Sequence, residues 1–446
     1  MEFIVARSDV DIVNKAKERL LSETRGNMLT TIEVDKYWIL STYPLLMHDN
    51  GVLIGEKFYE HEGLTSINEA KLKAEEAKAL DLLYDGAYFN INFEDSIVHI
   101  DPIGLLPVYV GEYGFASNIR LLKAIGCKRI HQLPPNRLFK VIWNKGIILQ
   151  YISQLIYFNR IKIESSSLEN AAQLFIDTVA RKLNTIKRKT RNNSKNVYIS
   201  FSGGIDSTIL ACLAIEENLN PYLITVGCKH STDILTSRKV AEWLGLTENH
   251  ITVIFEDSVP NEESLVEEVK KVASIIENPN LHQLSLALPL YFAIKLYAKD
   301  SVLLLGQGTD ELFGGYFKFL NIYKLYGYEA VEREIKLEIS LSYRFNFARE
   351  MKLAAWGNVS LYYPFISPYI IVLAYSVPSE AKIRGVNDVY RKWLIRKVAE
   401  ILKLPEDIVY KTKKSLQYSS KSLSLLQKVL GKRLSKLSLN DANIIT

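Results

Sequence analysis

Six consecutive residues, Ser202-Gly203-Gly204-Ile205-Asp206-Ser207, combine two hydroxyls, a Gly-Gly turn and one carboxylate. The glycines let the backbone turn tightly and bring successive N–H groups toward one anion. An apolar strand, Val197-Tyr198-Ile199-Ser200-Phe201, precedes them. A helix predicted over Thr208 to Glu217 follows, so its positive N-terminal end faces the same anion. Ser202 and Ser207 can add hydroxyl donors. Asp206 can approach a phosphate only across a cation, and magnesium is the expected bridge. The loop lacks the Gly-Lys-Ser/Thr ending of a Walker motif. With no lysine aimed at the terminal phosphates, the expected cleavage is release of pyrophosphate with transfer of AMP.

A second constellation, Gly306-Gln307-Gly308-Thr309-Asp310-Glu311-Leu312-Phe313-Gly314-Gly315-Tyr316, follows the apolar run ending at Leu305. In an open parallel sheet, ligands bind beyond the carboxyl ends of the strands, so both loops can face one crevice. Asp310 would then supply a second carboxylate to the metal. Taken alone, either stretch could be an ordinary strand-to-helix connection.

The elements needed to hold these loops are legible. From about Ser165, strands at Val197–Phe201, Tyr222–Val226, Ile251–Phe255 and Val302–Leu305 alternate with helices, among them Leu168–Leu183 and Asp233–Leu244. That rhythm predicts an α/β domain with a parallel sheet and right-handed crossovers. From about Phe313 the chain reads as mostly helical, a C-terminal extension. Residues before about 150 carry short β-like runs at 37–40, 86–93, 97–100 and 108–110, and a helix is predicted over Ile67–Leu83, which together suggest a separate α+β layer.

The two motifs resemble the Ser-Gly-Gly-x-Asp-Ser and Gly-x-Gly-x-Asp-Glu-x-Phe-x-Gly-Tyr signatures of the asparagine synthetase family, which belongs to the PP-loop ATP pyrophosphatases and includes β-lactam synthetases. Ser231-Thr232-Asp233, Pro364-Phe365 and Arg391-Lys392-Trp393-Leu394-Ile395-Arg396 resemble its Ser-Pro-Asp, Pro-Phe-Leu-Asp and Lys-x-x-Leu-Arg elements. The resemblance implies an adenine nucleotide α-hydrolase-like domain over 165–446. It further implies that Phe201, Val226 and Gly306 line an ATP site together with Ser202, Gly203, Gly204, Asp206 and Ser207, that Asp206 and Asp310 hold Mg2+, and that Lys413 stabilises the reacting acyl-adenylate. A cation beside developing negative charge lowers such a barrier.

Residues 1–155 resemble a glutaminase domain of the N-terminal-nucleophile type at Asp85-Gly86-Ala87-Tyr88-Phe89, Asp101–Pro107, Phe115-Ala116-Ser117 and Leu133-Pro134-Pro135. Glutamine-hydrolysing members use an N-terminal cysteine, whereas Glu2 stands here, a poor substitute for a thiolate. The domain is therefore expected to be a degenerate, structural one. Departures also touch the acid to be activated: the family's Arg and Glu-x-Arg positions fall at Ser285, Ser360 and Tyr362, and the acid after Pro-Phe at Ser367. Aspartate is accordingly not the expected substrate.

Composition fits an ordinary globular protein able to bury a large core: 446 residues, 48% hydrophobic and 24% charged. No apolar run approaches the roughly 18 residues of a membrane span. No signal-like N-terminus is apparent, and Cys127, Cys212 and Cys228 form no pairing pattern, so a reducing cytoplasm is expected. Net charge is +5, with seven Lys/Arg and no acid in Arg181–Lys195 and eight in Lys411–Lys436. The expected partners are a small-molecule carboxylate and ammonia or an amine, with no membrane. The basic blocks keep an RNA-modifying PP-loop enzyme as a rival, a non-catalytic nucleotide-binding regulator is another, and a homo-oligomer is left open.

Overall fold

The computed structural model describes residues 2–7, 14, 15, 18, 30–34, 37–41, 45–48, 51–58, 85–143, 146–154, 168–193, 195–259, 261–412 and 416–430. The predicted helix Ile67–Leu83 and the predicted catalytic Lys413 both lie outside the described residues. The chain divides into two compact units, one of Met1–Phe158 with Ser340–Trp356, the other of Asn159–Ile339 with Gly357–Thr446.

In the first unit, two six-stranded antiparallel sheets pack face to face. Phe3–Arg7 lies centrally in one, and Asp85–Asn92 and Ile97–Ile100 lie centrally in the other. The alternation of apolar residues along these strands directs Phe3, Phe89 and Phe115 into the space between, where Phe3 and Phe89 stack at 5.7 Å and Phe89 and Phe115 meet at 5.3 Å. Ser340–Trp356, inside the stretch read from sequence as part of the 165–446 domain, joins this unit instead. Gln132 Nε2 donates to the Tyr343 carbonyl (3.0 Å), and the Lys352 ammonium lies 4.8 Å above the Tyr109 ring. Helical periodicity is the same whichever body a helix packs on, which is why the sequence did not separate this segment.

Asp101 organises the turn after Ile97–Ile100. One oxygen accepts from the amides of Ile103, Gly104 and Leu105 at 3.1, 2.6 and 2.9 Å, and the other from Leu106 at 3.0 Å. Burial pushes its carboxyl up to about 7, although all four donors favour the charged form. Asp101→Ala strands the buried N–H groups of Ile103, Leu105 and Leu106, each worth roughly 1–3 kcal/mol when unmet, while Gly104 keeps its 3.2 Å bond to the residue 101 carbonyl. The expected result is a loss of at least about 3 kcal/mol in chemical denaturation; a loss under about 1 kcal/mol would mean water replaces the carboxylate.

The second unit is built on a five-stranded parallel sheet: β1 (Val197–Ser200), β2 (Tyr222–Gly227), β3 (His250–Ile254), β4 (Val302–Leu304) and β5 (Ser360–Tyr362), in the order β3-β2-β1-β4-β5. The four predicted strands are present, and β5, hidden in sequence by its three-residue length, completes the edge. The helices that bear on the site are α1 (Leu168–Asn193), α2 (Ile205–Glu216), α3 (Thr232–Trp243), α4 (Leu281–Ala293), α5 (Thr309–Phe313), α6 (Pro368–Ser376) and α7 (Trp393–Ile401). Strand order reverses between β1 and β4, so a crevice opens at their carboxyl ends, where open α/β sheets bind ligands. α1 runs ten residues past the predicted end at Leu183, through the basic segment. α2 starts at Ile205 rather than Thr208, which puts Asp206 and Ser207 in its first turn. Under the sheet, Phe175 of α1 packs on Phe313 at 5.7 Å and on Phe365 at 5.4 Å. Among the described residues no helix is long and apolar enough to cross a membrane.

Candidate active site

The first loop leaves β1 as Phe201, whose amide donates to the Ile224 carbonyl (2.8 Å), and turns at Gly203 with φ +67°. A Cβ at Gly203 would fall 2.8 Å from the Ser237 amide nitrogen, so this left-handed turn beside α3 admits only glycine. Gly204 caps α2, and the loop is internally tied: Ser207 Oγ donates to the Gly204 carbonyl (3.2 Å), and the Ser202 amide donates to Ser207 Oγ (3.3 Å). The two hydroxyls expected to donate to an anion thus also hold the loop in shape, 3.3 Å from each other.

The second loop comes alongside. Gly306 packs on the Asp206–Ser207 backbone, where a Cβ would sit 3.3 Å from Asp206 C. Glu311 Oε2 accepts from the Gly308 amide (3.1 Å) and Oε1 from the Tyr316 hydroxyl (2.7 Å), fixing the start of α5. Burial, then the charges of Glu311 and Asp310, hold Tyr316 far above its ordinary pKa, so it remains a donor. Thr309 Oγ1 donates to Asp206 Oδ1 at 2.7 Å.

Asp206 and Asp310 converge on a third group, which the sequence reading did not place there. The ammonium of Lys392 lies 2.5 Å from Asp206 Oδ1, 3.0 Å from Asp310 Oδ1 and 3.0 Å from Thr309 Oγ1. Its side chain is only 3% exposed. The turn that delivers it is held by Asp388, whose Oδ1 accepts from the amides of Tyr390 (3.0 Å) and Arg391 (2.9 Å), and whose Oδ2 accepts from Arg384 N and Trp393 Nε1, both at 2.7 Å. Burial would raise the Asp388 carboxyl, but these donors outweigh it and keep it below its usual range. The only sequence signal for Lys392 was its place in the Lys-x-x-Leu-Arg element. Among the described residues no group of three or more His, Cys, Asp or Glu gathers to hold a metal.

The other predicted positions fall around this centre. Phe201 and Val226 are buried at the ends of β1 and β2. Thr225 Oγ1 donates to the Phe201 carbonyl (2.6 Å), so the 2.9 Å contact with His250 Nε2 requires that nitrogen to be the donor. Burial, then the nearby Arg238 charge, lowers the His250 pKa to about 4, in keeping with a neutral ring. Asp233 Oδ2 accepts from Ser419 Oγ (2.9 Å), and the Cys228 amide donates to the Ser420 carbonyl (3.0 Å), which brings the segment after Lys413 to the end of β2. On its other flank, Lys411 Nζ donates to Thr236 Oγ1 (2.6 Å), next to the backbone against which Gly203 turns. Sequence spacing gave no reason to prefer Lys411 within its basic block.

Three departures from the family pattern find structural uses. Ser285 is fully buried in α4, donating to the His282 carbonyl (2.7 Å) while its own carbonyl accepts from Ser422 Oγ (2.7 Å). Ser367 caps α6 by accepting from the Ile370 amide (3.3 Å), and Tyr362 is a buried residue of β5. In the first basic block, Lys182 is buried and donates to the Ile366 carbonyl (2.6 Å), and Lys187 donates to that of Glu217 (2.7 Å). These two lysine ammoniums are thus bonded to backbone carbonyls of the fold.

The asparagine synthase family model matches residues 183–326 and 323–446, more than half of the chain. A candidate glutamine-hydrolyzing asparagine synthetase of Methanocaldococcus jannaschii is 27% identical over 96% of this chain and 83% of its own length. The glutamine-hydrolyzing asparagine synthetase of Rattus norvegicus is 28% identical over 54% of this chain, and the match spans 43% of the rat protein, under half of its length. An NMN synthetase structure from Francisella tularensis aligns with 63% of this chain and 92% of that one at 14% identity and a TM-score of 0.30, too distant to bear on the fold.

Proposed function

We propose that this chain, which belongs to the asparagine synthase family, is an ATP-dependent amide-forming ligase. A carboxylate oxygen attacks the α-phosphorus of ATP and pyrophosphate leaves. Ammonia or an amine then attacks the acyl carbon of the adenylate, AMP departs with the bonding pair, and the amide remains. The observation that carries this reading is the convergence of Asp206 and Asp310 on one cationic group, 2.5 and 3.0 Å away, beside a glycine loop at the point where strand order reverses. An ammonium held there is a stand-in for a cation, and two carboxylates suit magnesium, which supplies charge neutralisation for the phosphates when bound. The loop amides and the start of α2 would receive the pyrophosphate oxygens. Phe201, Val226 and Gly306 would flank the nucleotide, and Lys413 would face the charge that builds on the acyl-adenylate.

The first unit fits the reading of a glutaminase-like scaffold without that activity. Its one cysteine, Cys127, is buried, and burial pushes the thiol up to about 11, leaving little thiolate at neutral pH. The nitrogen donor in this proposal is therefore free ammonia or an amine.

Pyrophosphate–ATP exchange across a panel of carboxylic acids, amino acids and tRNA tests the proposal. Ser285, Ser360 and Tyr362 stand where the family carries charge, and each missing charged hydrogen bond forfeits about 1.5–3 kcal/mol. A larger or less polar acid is expected to outperform aspartate, whose specificity constant should fall below roughly 10⁴ M⁻¹s⁻¹. A value at or above that level would identify an ammonia-dependent asparagine synthetase. Silence across the whole panel would reject the ligase.

A further inference from the structure

Lys392 spends an unusual amount of local structure to reach the two carboxylates. Arg391 and Lys392 both adopt left-handed backbone, with φ of 52° and 55°. Such a conformation is unfavourable for non-glycine residues by about 1–3 kcal/mol each and persists only where neighbours enforce it. The amide bonds to Asp388 enforce it here, and Arg391 Nε donates to the Gly315 carbonyl at 3.1 Å. Gly315 also clears the path of the lysine stem: a Cβ there would lie 2.5 Å from Lys392 Cδ and 1.9 Å from Asp310 Oδ1. An ammonium has three N–H donors, and Asp206, Thr309 and Asp310 take one each. The group is saturated and shielded from solvent.

We infer that Lys392 is a tethered counter-ion that keeps the Asp206–Asp310 place filled until nucleotide arrives, so that divalent metal loads only together with phosphate. The inference rests on the reading that these two carboxylates hold magnesium. Two carboxylates brought together repel unless a cation lies between them. A divalent ion held between the two carboxylates would need their oxygens at about 2.1 Å, and it cannot share that point with an ammonium of like charge. Metal alone must therefore displace a buried, fully bonded ammonium without bringing it new acceptors. Metal with ATP brings phosphate oxygens, which offer the ammonium new acceptors within reach of its flexible four-carbon stem. Lys392 is in this sense a positioning residue that sets the order of assembly.

The test is Mn2+ binding to the full chain, followed by electron paramagnetic resonance with and without α,β-methylene-ATP. Wild-type protein should bind Mn2+ weakly alone and far more tightly with the analogue. In Lys392→Met, nucleotide-free affinity should rise by about 10- to 100-fold, the range of a typical coupling between sites. Adding Asp206→Asn to Lys392→Met should remove the gain, and Lys392→Arg should stay weak like the wild type. Unchanged nucleotide-free affinity in a folded Lys392→Met protein overturns the inference. Should that variant not fold, wild-type protein alone decides: Mn2+ binding equally tight with and without the analogue overturns it too. Tight binding with the analogue but no effect of Lys392→Met leaves the metal reading standing and sinks only the counter-ion. Absence of Mn2+ binding even with the analogue sinks the metal reading and the inference together.

Discussion

Asp206→Asn is expected to slow ATP-dependent pyrophosphate release by about a thousand-fold while leaving the fold intact. The size follows from the several kcal/mol that a phosphate-bridging metal contributes, each 1.36 kcal/mol being a factor of ten. Asparagine keeps the shape of the side chain and an oxygen for the Thr309 hydroxyl, which donates to Asp206 at 2.7 Å. It removes the charge that draws in a cation. Lys392 would not be left alone, because Asp310 Oδ1 stays 3.0 Å from its ammonium, so the change should alter stability little. Asp310→Asn should behave similarly, since both carboxylates are about equally enclosed and face the same point. The measurement is steady-state pyrophosphate release at saturating magnesium, with a thermal melt alongside. Turnover within a few-fold of wild type in either variant, with an unchanged melt, would show that the pair has another role.

Much of this centre could be read from the chain because its loops are local. Within Ser202–Ser207, the glycines, the carboxylate and the helix start lie a few residues apart, so spacing alone states the geometry. The same holds for Gly308 through Tyr316, where Glu311 closes bonds three residues back and five residues on. Lys392 was missed for the opposite reason. Its partners lie 186 and 82 residues away, and nothing in the composition of Tyr390-Arg391-Lys392 marks a left-handed turn, since neither Arg nor Lys favours one. The early start of α2 was legible in principle, for Gly204 followed by Ile-Asp in the first turn is a recognised helix entry. So was the use of Ser367, whose hydroxyl accepts from the Ile370 amide three residues on and stands just before Pro368, a local helix cap. The setting of Ser285 was not: its hydroxyl bond to the His282 carbonyl is local, but the bond from Ser422 Oγ to its own carbonyl exists only once α4 and the 416–422 segment have come together.

Arg396→Met is expected to lower the stability of the second unit by about 3–5 kcal/mol, because it removes a buried guanidinium whose charged hydrogen bonds contribute about 1.5–3 kcal/mol each before relaxation. Arg396 is 1% exposed and joins the two segments that carry the site's lysines. Its Nε donates to the Arg391 carbonyl (2.7 Å), Nη2 to the carbonyls of Tyr390 and, more weakly, Lys411 (3.4 Å), and Nη1 to that of Val409. Burial pulls its pKa down, while the charges of Asp206 and Asp388 pull it up; a guanidinium stays protonated regardless. Methionine fills comparable volume but supplies no donor, so four carbonyls lose a charged partner at about 1.5–3 kcal/mol each, less whatever is recovered by relaxation. The Lys392 turn and the approach to Lys411 would then be free to part. Pyrophosphate release measured well below the melting transition should therefore fall by more than the unfolded fraction explains. Arg396→Lys separates the effects: it restores the charge but not the planar fork, and one ammonium cannot span both segments. It should recover part of the stability and little of the activity. If Arg396→Met unfolds within about 1 kcal/mol of wild type, the guanidinium is dispensable to the fold; if it also turns over normally, the two lysine segments are held by something other than Arg396.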